Sequence, residues 1–476
     1  MYMKPAFGTG RVCISTRKRE GIGHMSKDSG TLHSDMFDGK HAALELRTFS
    51  ECAGPVRLIS ADIGLSSIEG WLLRKLRRFI GDLPIRLSLG GREELSPPPD
   101  AGAIATVSIA DRRTLAKLLF NPEIAFGDGY TDGRIVVDGD LVQLMEHVIR
   151  LMSMTKPEGW GRRVASRWLQ RVQANTIAGS ARNIHHHYDL TTDFYRLWLD
   201  SRLVYTCAYF PSPSTSLEEA QLAKMDYICR KLRLQPGETV VEAGCGWGAL
   251  ALHMANNYGV KVKAFNISRE QILVARELAT REGLSSQVEF IEDDYRNISG
   301  PCDVLASVGM LEHIGAEHYK ELGQVIHRAI GDSGRGLLHF IGRNRPGTFS
   351  PWIRKRIFPG AYIPVLREML DLLEPWNFSA LDVENLRSHY EKTLEHWLTR
   401  FEASTDQVTK MFGPEFVRAW RLYLAGSIAA FRVGTLQLFQ VTFAGPSCRQ
   451  IPGTRAYLYA EQPPAKEEPE WTHAMS

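Results

Sequence analysis

"VVEAGCGWGALALH", residues Val240 to His253, is the stretch that decides the fold. Its opening reads as a short buried strand, Gly244, Gly246 and Gly248 as a tight turn, and "ALALH" as the start of a helix. Glycine at these positions lets the backbone turn sharply and lie directly against a ligand. A dinucleotide site asks for G-x-G-x-x-G, and Ala249 or Leu250 stands where the last glycine belongs, which disfavours pyrophosphate. Downstream the β-then-α alternation continues. "VKVKAFNIS" is a strand and "REQILVARELATREG" a helix; "QVEFIEDD" and "CDVLASVG" are strands, "EHYKELGQVIHRAI" a helix and "RGLLHFIG" a strand. That order predicts an α/β domain with a mostly parallel central sheet covered on both faces, binding its ligand at the carboxyl ends of the strands.

Upstream, strand-like pieces ("PIRLSLGG", "AIATVSIA", "RIVVDGDL") mix with helical ones ("RRTLAKLLF", "DLVQLMEHVIR") in a smaller α+β domain over 61–155. "SSIEGWLLRKLRRFIG" precedes it, with Ile68, Leu72, Leu76, Phe79 and Ile80 at helical spacing among arginines and lysine. It reads as a packed helix with a solvated face, or as one lying on an anionic membrane surface. Residues 1–60 lack a sustained apolar period and read as a disordered leader. A basic linker over 156–182 leads to the main domain, 183–462, and 463–476 reads as a flexible tail.

With 476 residues, 44% hydrophobic and 23% charged, the chain has the composition of a soluble multidomain protein. It lacks an apolar run long enough to span a bilayer and the h-region of a secretory signal, so a cytoplasmic location is expected. Seven cysteines are scattered without a framework and read as reduced thiols. A net charge of +3 gives no argument for nucleic acid. The three histidines of "NIHHHYDL", His185 to His187, do not converge on a helix or a strand, and no CxxC or HExxH accompanies them. No metal site is expected.

The pattern E/D-x-G-x-G-x-G after a first strand resembles that of class I S-adenosylmethionine methyltransferases, which implies a Rossmann-like methyltransferase domain. In this resemblance Glu242 and the three glycines approach the cofactor. Asn266 and Ser268, with Gln271 a turn on, replace the usual ribose-binding acid, and Asp293, Asp294 and Tyr295 lie at the third strand end. More specifically, residues from Pro84 to Gly445 resemble the cyclopropane-fatty-acyl-phospholipid synthase and mycolic acid methyltransferase family. "HYDLTTDFYRLWLDSRLVYTCAYF", "AGCGWG", "SVGMLEHIG", "LLHFIG", "IFPGAYIP", "HYEKTLEHW" and "WRLYLAGSIAAFRVG" carry that resemblance in order. It implies that Tyr205 and Thr206 touch the cofactor, and that Cys207, Glu312, His339, Ile341 and Tyr390 hold a bicarbonate ion. Departures are Thr206 for Ser, Thr192 for Asn, Glu242 for Asp and Asn266 for Thr.

The implied reaction explains why such residues are needed. An isolated alkene is a weak nucleophile, so the enzyme must align it with the sulfonium methyl and exclude water. Attack leaves a carbocation, and a proton must leave the new methyl before a ring can close. His339 and Tyr390 can donate to a buried anion, Cys207 and Ile341 can offer backbone groups, and Glu312 can accept. Tyr205, Phe210, Tyr319 and Phe358 are candidates to face the cation. Plainer readings stand beside these: Glu312 and His313 capping a helix near Ala316, His339 as a core histidine, Tyr390 as helix packing, and Cys207 as an inert thiol. For delivery, "SPWIRKRIFPGAYIPVL" reads as an interfacial segment or as a loop over the active site. The expectation is a cyclopropane synthase acting on unsaturated phospholipid acyl chains, peripheral to the inner face of the membrane, with a homodimer by family analogy. Alternatives are a fatty-acid C-methyltransferase, a small-molecule N-methyltransferase, or a lipid-binding module.

Overall fold

In the computed structural model the described residues are 71, 72, 75, 76, 81, 83–95, 102–154, 190–347 and 350–459. The leader, most of the basic helix, the linker, the three histidines and the tail lie outside them. Leu58–Ser476 forms one compact unit.

Its first layer is a four-stranded sheet. β1 (Ile85–Leu89), β2 (Arg92–Leu95), β3 (Ala105–Ile109) and β4 (Ile135–Gly139) lie in the order β2-β1-β3-β4, with β1 and β3 parallel and the other pairs antiparallel. Alternation puts Ile85, Leu87 and Leu89 of β1, and Ala105, Val107 and Ile109 of β3, on one buried face. Helices Arg112–Phe120, Pro122–Thr131 and Leu141–Met154 complete this part. Asp111 caps the first by accepting from the Thr114 N–H at 2.8 Å.

The second sheet has seven strands: β5 (Thr239–Ala243), β6 (Lys261–Asn266), β7 (Val288–Glu292), β8 (Val304–Val308), β9 (Arg335–Gly342), β10 (Ser379–Asn385) and β11 (Gln437–Ala444). The order is β10-β11-β9-β8-β5-β6-β7; β5 to β9 pair in parallel, and β11 runs antiparallel to both β9 and β10. Strands buried on both faces have continuous apolar runs, which is why "VLASV" and "RGLLHFIG" were legible. Val240, Val262, Phe290 and Ala306 face helices Leu217–Leu232, Ala249–Tyr258 and Arg269–Arg281; Val241, Phe265, Leu305 and Phe340 face helices Tyr319–Ile330 and Leu366–Leu373. β5 lies between β6 and β8, so the crevice where the crossovers part opens at its carboxyl end.

Beyond β10, helices Arg387–Ala403, Thr405–Phe412 and Pro414–Val433 pack with the short helix Thr192–Arg196 around an aromatic core. Phe194, Trp198, Trp397 and Trp420 are fully or almost fully buried there, with ring centroids 5.1 to 5.8 Å apart in their contacting pairs. The helix Pro414–Val433 also carries the smaller sheet's helices. Arg432 at its end donates to Glu146 at 2.8 Å, to Glu391 at 2.7 Å and to Glu395. Arg356 makes a two-pronged pair with Asp128 at 3.0 and 2.8 Å. Trp352 sits where a side chain on Gly127 would be, 2.3 Å from an added Cβ.

The segment 350–363 takes the second of its two expected readings. Trp352 and Ile357 are buried, and Trp352, Ile353, Phe358 and Ile363 face the larger cavity described below. These side chains close over the site.

Candidate active site

Two cavities meet at the carboxyl end of β5 and β8. The smaller, about 160 Å³, follows the glycine turn. The Gly244 and Cys245 N–H groups donate to Phe265 O at 2.9 and 3.0 Å, which folds the turn back on β6. All three glycines have positive φ, 84°, 56° and 87°, a region other residues occupy at a cost. An added Cβ on Gly246 would meet nothing within 4 Å, so that face of the turn is open. At Gly248 a Cβ would lie 2.5 Å from Phe290. Gly248 is outside the lining and serves close packing of the helix on β7, a correction to its expected cofactor contact.

Tyr205, Thr206, Glu242, Gly244, Gly246, Asn266, Gln271, Asp294 and Tyr295 line this cavity. Ser268 does not; it caps helix Arg269–Arg281 by accepting from the Gln271 N–H at 3.4 Å. The Asn266 amide donates to Gly246 O at 3.2 Å and Gln271 Oε1 at 2.7 Å, tying the second-strand loop to the turn. Asp294 is paired with Arg296 at 3.0 Å.

The cavity also carries two buried ionisable groups, of which sequence reading missed Lys224. Lys224 and Glu242 are both buried, and the Lys224 ammonium donates to Thr206 Oγ1 at 3.0 Å. Burial pushes Glu242 up to about 8 against the charge of Lys224, and Lys224 down to about 8 against the charges of Asp200, Cys207 and Glu242. Glu242 Oε2 has no partner among the described residues. Lys224 was findable: with Leu217, Ala220, Gln221 and Ile228 it lies on the buried stripe of its helix, where an unpaired cation would not be placed.

The larger cavity, about 950 Å³, shares Tyr205, Thr206, Gly309 and His313 with the first. Besides that junction it is lined by Glu312, Ile341 and Tyr390, by Leu394, Leu422 and Phe431, and by Ile85, Leu87, Val107, Ile109 and Val148 of the smaller sheet and its helices. Its volume lies at the upper end of small-ligand pockets, and its wall is mostly apolar.

Glu312 sits in a single turn, Leu311–His313, after β8 and is 5% exposed. Oε1 accepts the Ile341 N–H at 2.6 Å, and Oε2 is without a partner among the described residues. Burial raises its carboxyl to about 7. The helix near Ala316 begins only at Tyr319, after a separate turn, so Glu312 does not cap it. Because Glu312 holds the Ile341 N–H, that donor is already engaged and is not the backbone group that Ile341 could offer a ligand. His313 is half-buried, and desolvation pushes it down to about 4. Tyr390 lies on helix Arg387–Ala403 against the rings of Phe431 and Trp397, at 4.8 and 5.9 Å.

Cys207 and His339 stand outside the lining residues of either cavity. Cys207 is fully buried, bonds Ala208 O at 3.1 Å and has its thiol pushed up by desolvation, so it is inert as a nucleophile. His339 shares its β9 face with Ile341; Nδ1 is 2.9 Å from Gln440 Nε2, and Nε2 has no partner among the described residues. Of the aromatic candidates Tyr205 and Phe358 line a cavity; Phe210 stacks instead on His396 at 5.5 Å, and Tyr319 is in the core beside β8. Among the described residues no cluster of His, Cys, Asp and Glu could hold a metal, and no helix is long and apolar enough to cross a membrane.

A parallel sheet with a glycine turn at β5, and a carboxylate at that strand's end, define a class I S-adenosylmethionine-dependent methyltransferase. Residues 176–441 match the family model described as mycolic acid cyclopropane synthetase, and the chain belongs to that family. It is 30% identical over 393 residues to a probable fatty acid methyltransferase of Pseudomonas putida, covering 79% of this chain and 96% of that one. To the cyclopropane-fatty-acyl-phospholipid synthase of Escherichia coli K12 it is 39% identical over 259 residues, 54% of this chain and 66% of the relative. Among solved structures it is similar to mycolic acid cyclopropane synthase CmaA1 complexed with SAH and CTAB, with 31% identity, a TM-score of 0.53, and coverage of 55% of this chain and 97% of that one. The protein is an S-adenosylmethionine-dependent methyltransferase of the cyclopropane synthase type.

Proposed function

We propose that the enzyme methylates the double bond of an unsaturated phospholipid acyl chain and closes a cyclopropane ring. The observation that carries this reading is the large apolar cavity that meets the cofactor cavity at Tyr205, Thr206, Gly309 and His313. An acyl chain is the ligand such a cavity suits: long, apolar and without polar partners along most of its length.

The cofactor supplies an electrophilic methyl group. Gly244 and Gly246 give it backbone room, the free Glu242 oxygen suits its amino group, and Asn266, Gln271, Asp294 and Tyr295 surround its nucleoside end. Thr206, tied to Lys224, and Tyr205 hold the junction, where two substrates must be in line. A dry wall of Leu394, Leu422, Phe358 and Phe431 excludes water from the cation left on the chain. Tyr205 and Phe358 offer that cation their ring faces.

Bicarbonate supplies a base for the departing proton. The unpartnered Glu312 Oε2 and His339 Nε2 and the phenol of Tyr390 suit such an ion, with an acceptor and two donors between them. Cys207 would offer the ion a backbone group, and Ile341 acts by holding Glu312 in place. Partial protonation of Glu312 near neutral pH lets it face a second anion without full repulsion.

Substrate access from the inner membrane face, a cytoplasmic location and a homodimer belong to the same proposal. A second reading, methyl-branched or methylene product from the same cation, is favoured by the greater span of the Pseudomonas putida relative. Incubation with S-adenosylmethionine and vesicles of unsaturated phospholipid tests both. Recovery of a methylene-extended acyl chain that survives mild hydrogenation supports the ring; one altered by hydrogenation supports the second reading. Labelling of amines alone refutes both.

A further inference from the structure

Behind the reacting centre a buried polar chain ends on His339. Lys231, on helix Leu217–Leu232, has a side chain only 1% exposed; it donates to Glu384 of β10 and, at 2.8 Å, to Gln440 Oε1 of β11. Gln440 and His339 are direct partners across β11 and β9, and Gln440 Nε2 lies 2.9 Å from His339 Nδ1. Burying the Lys231 ammonium is costly, and an apolar side chain would pack at least as well. The polar chain instead runs from the partly exposed Glu384 on the edge strand β10 across β11 to one imidazole on β9.

The donor and acceptor chemistry leaves one arrangement. An ammonium only donates, so it fixes which end of the Gln440 amide is oxygen. The other end is then NH₂, which also only donates, so Nδ1 of His339 must accept and carries no proton. The remaining proton of a neutral ring is on Nε2, the nitrogen with no partner among the described residues. Burial and the charges of Lys224 and Lys231 oppose a second proton.

We infer that Lys231 and Gln440 are positioning residues that lock His339 as the neutral Nε2–H tautomer, a fixed hydrogen-bond donor that cannot serve as a base. Its use in turnover rests on the proposed role of His339 above; the lock does not. It also divides labour: with His339 restricted to donating, acceptance within this set falls to Glu312.

Histidine-selective nitrogen-15 labelling of the full chain, read by long-range proton–nitrogen correlation, tests the lock without turnover. The His339 signal is assigned by its loss in His339→Asn. The expected wild-type pattern is Nε2–H with an unprotonated Nδ1. Gln440→Glu replaces the donor with an acceptor and should move the proton to Nδ1 or give an imidazolium. Turnover should then fall on the order of 10- to 100-fold, as when a histidine's hydrogen-bond partner is altered, with S-adenosylhomocysteine affinity kept. Lys231→Met, which frees the amide to rotate, should give both tautomers. A wild-type Nδ1–H pattern, or an unchanged pattern in Gln440→Glu, overturns the inference. A switched tautomer with undiminished turnover upholds the lock and overturns the role of His339 in the reaction.

Discussion

Replacing Glu312 with Gln separates stability from activity. Burial lifts this carboxyl from an ordinary 4.5 to about 7. Between those values the folded chain keeps a proton that the unfolded chain has given up, so this group's contribution to stability falls as pH rises through the window and is flat above it. At 1.36 kcal/mol per pH unit of difference, the ionised group costs the folded state about 3 kcal/mol at pH 8 and nothing below the unfolded value. Glutamine does not titrate, its oxygen can still accept the Ile341 N–H, and its shape is the same. The buried NH₂ returns about 1 kcal/mol of that gain if it finds no partner. Urea unfolding should therefore find Glu312→Gln more stable than the parent by about 2 kcal/mol at pH 8, with the gap lost or reversed near pH 4.5. Turnover with saturating cofactor should fall by on the order of 100-fold or more, as for loss of a group engaged in proton transfer. A pH-independent difference in stability refutes the electrostatic reasoning, and undiminished turnover removes Glu312 from the chemistry.

Three further outcomes follow from the geometry. Lys224→Met removes the bond to Thr206 and the charge facing Glu242, and should weaken S-adenosylhomocysteine binding roughly 10- to 100-fold by calorimetry, the scale of a charged hydrogen bond; equal affinity would show that the pair is only structural. Gly248→Ala, with its Cβ 2.5 Å from Phe290 and φ of 87°, should cost about 1–3 kcal/mol in denaturant unfolding. The folded fraction should bind cofactor normally, and a neutral substitution would contradict the packing role. Val107→Phe fills the part of the larger cavity lined by the smaller sheet, so activity should shift towards shorter acyl chains with cofactor affinity kept; an unchanged chain-length profile would place the acyl chain elsewhere.

The parallel strands were legible because each is a short apolar run punctuated by a turn, and the glycine motif fixed which strand came first. β10 and β11 were not read. They pair antiparallel at the far edge, and β10 is largely exposed, so its pattern lacks a continuous apolar run. Most residues expected at the cofactor lie within a few positions of a strand end and line the smaller cavity; Gly248 and Ser268 do not, because a turn glycine and a helix cap have the same local signature as a ligand contact. The segment around Trp352 left two readings open for a related reason. Aromatic and basic residues on a short helix describe an interface equally well whether the apolar side meets lipid or, as here, Gly127 and a cavity. Lys224 could have been found from its helix stripe. Lys231, Glu384 and Gln440 could not, since their meeting depends on β11 returning beside β9, a pairing between distant segments that no local pattern encodes.

In the proposed reaction the acyl-chain alkene attacks the cofactor's methyl group, S-adenosylhomocysteine leaves, and the transferred methyl loses a proton as the ring closes. This sequence of steps is tested most directly with S-adenosylmethionine carrying a fully deuterated methyl and a monounsaturated phospholipid. The product should resist mild hydrogenation and retain two of the three methyl deuterons, the third having left as the ring closed. Retention of all three in a product that takes up hydrogen would mean that the proton leaves the acyl chain instead, and would contradict ring closure.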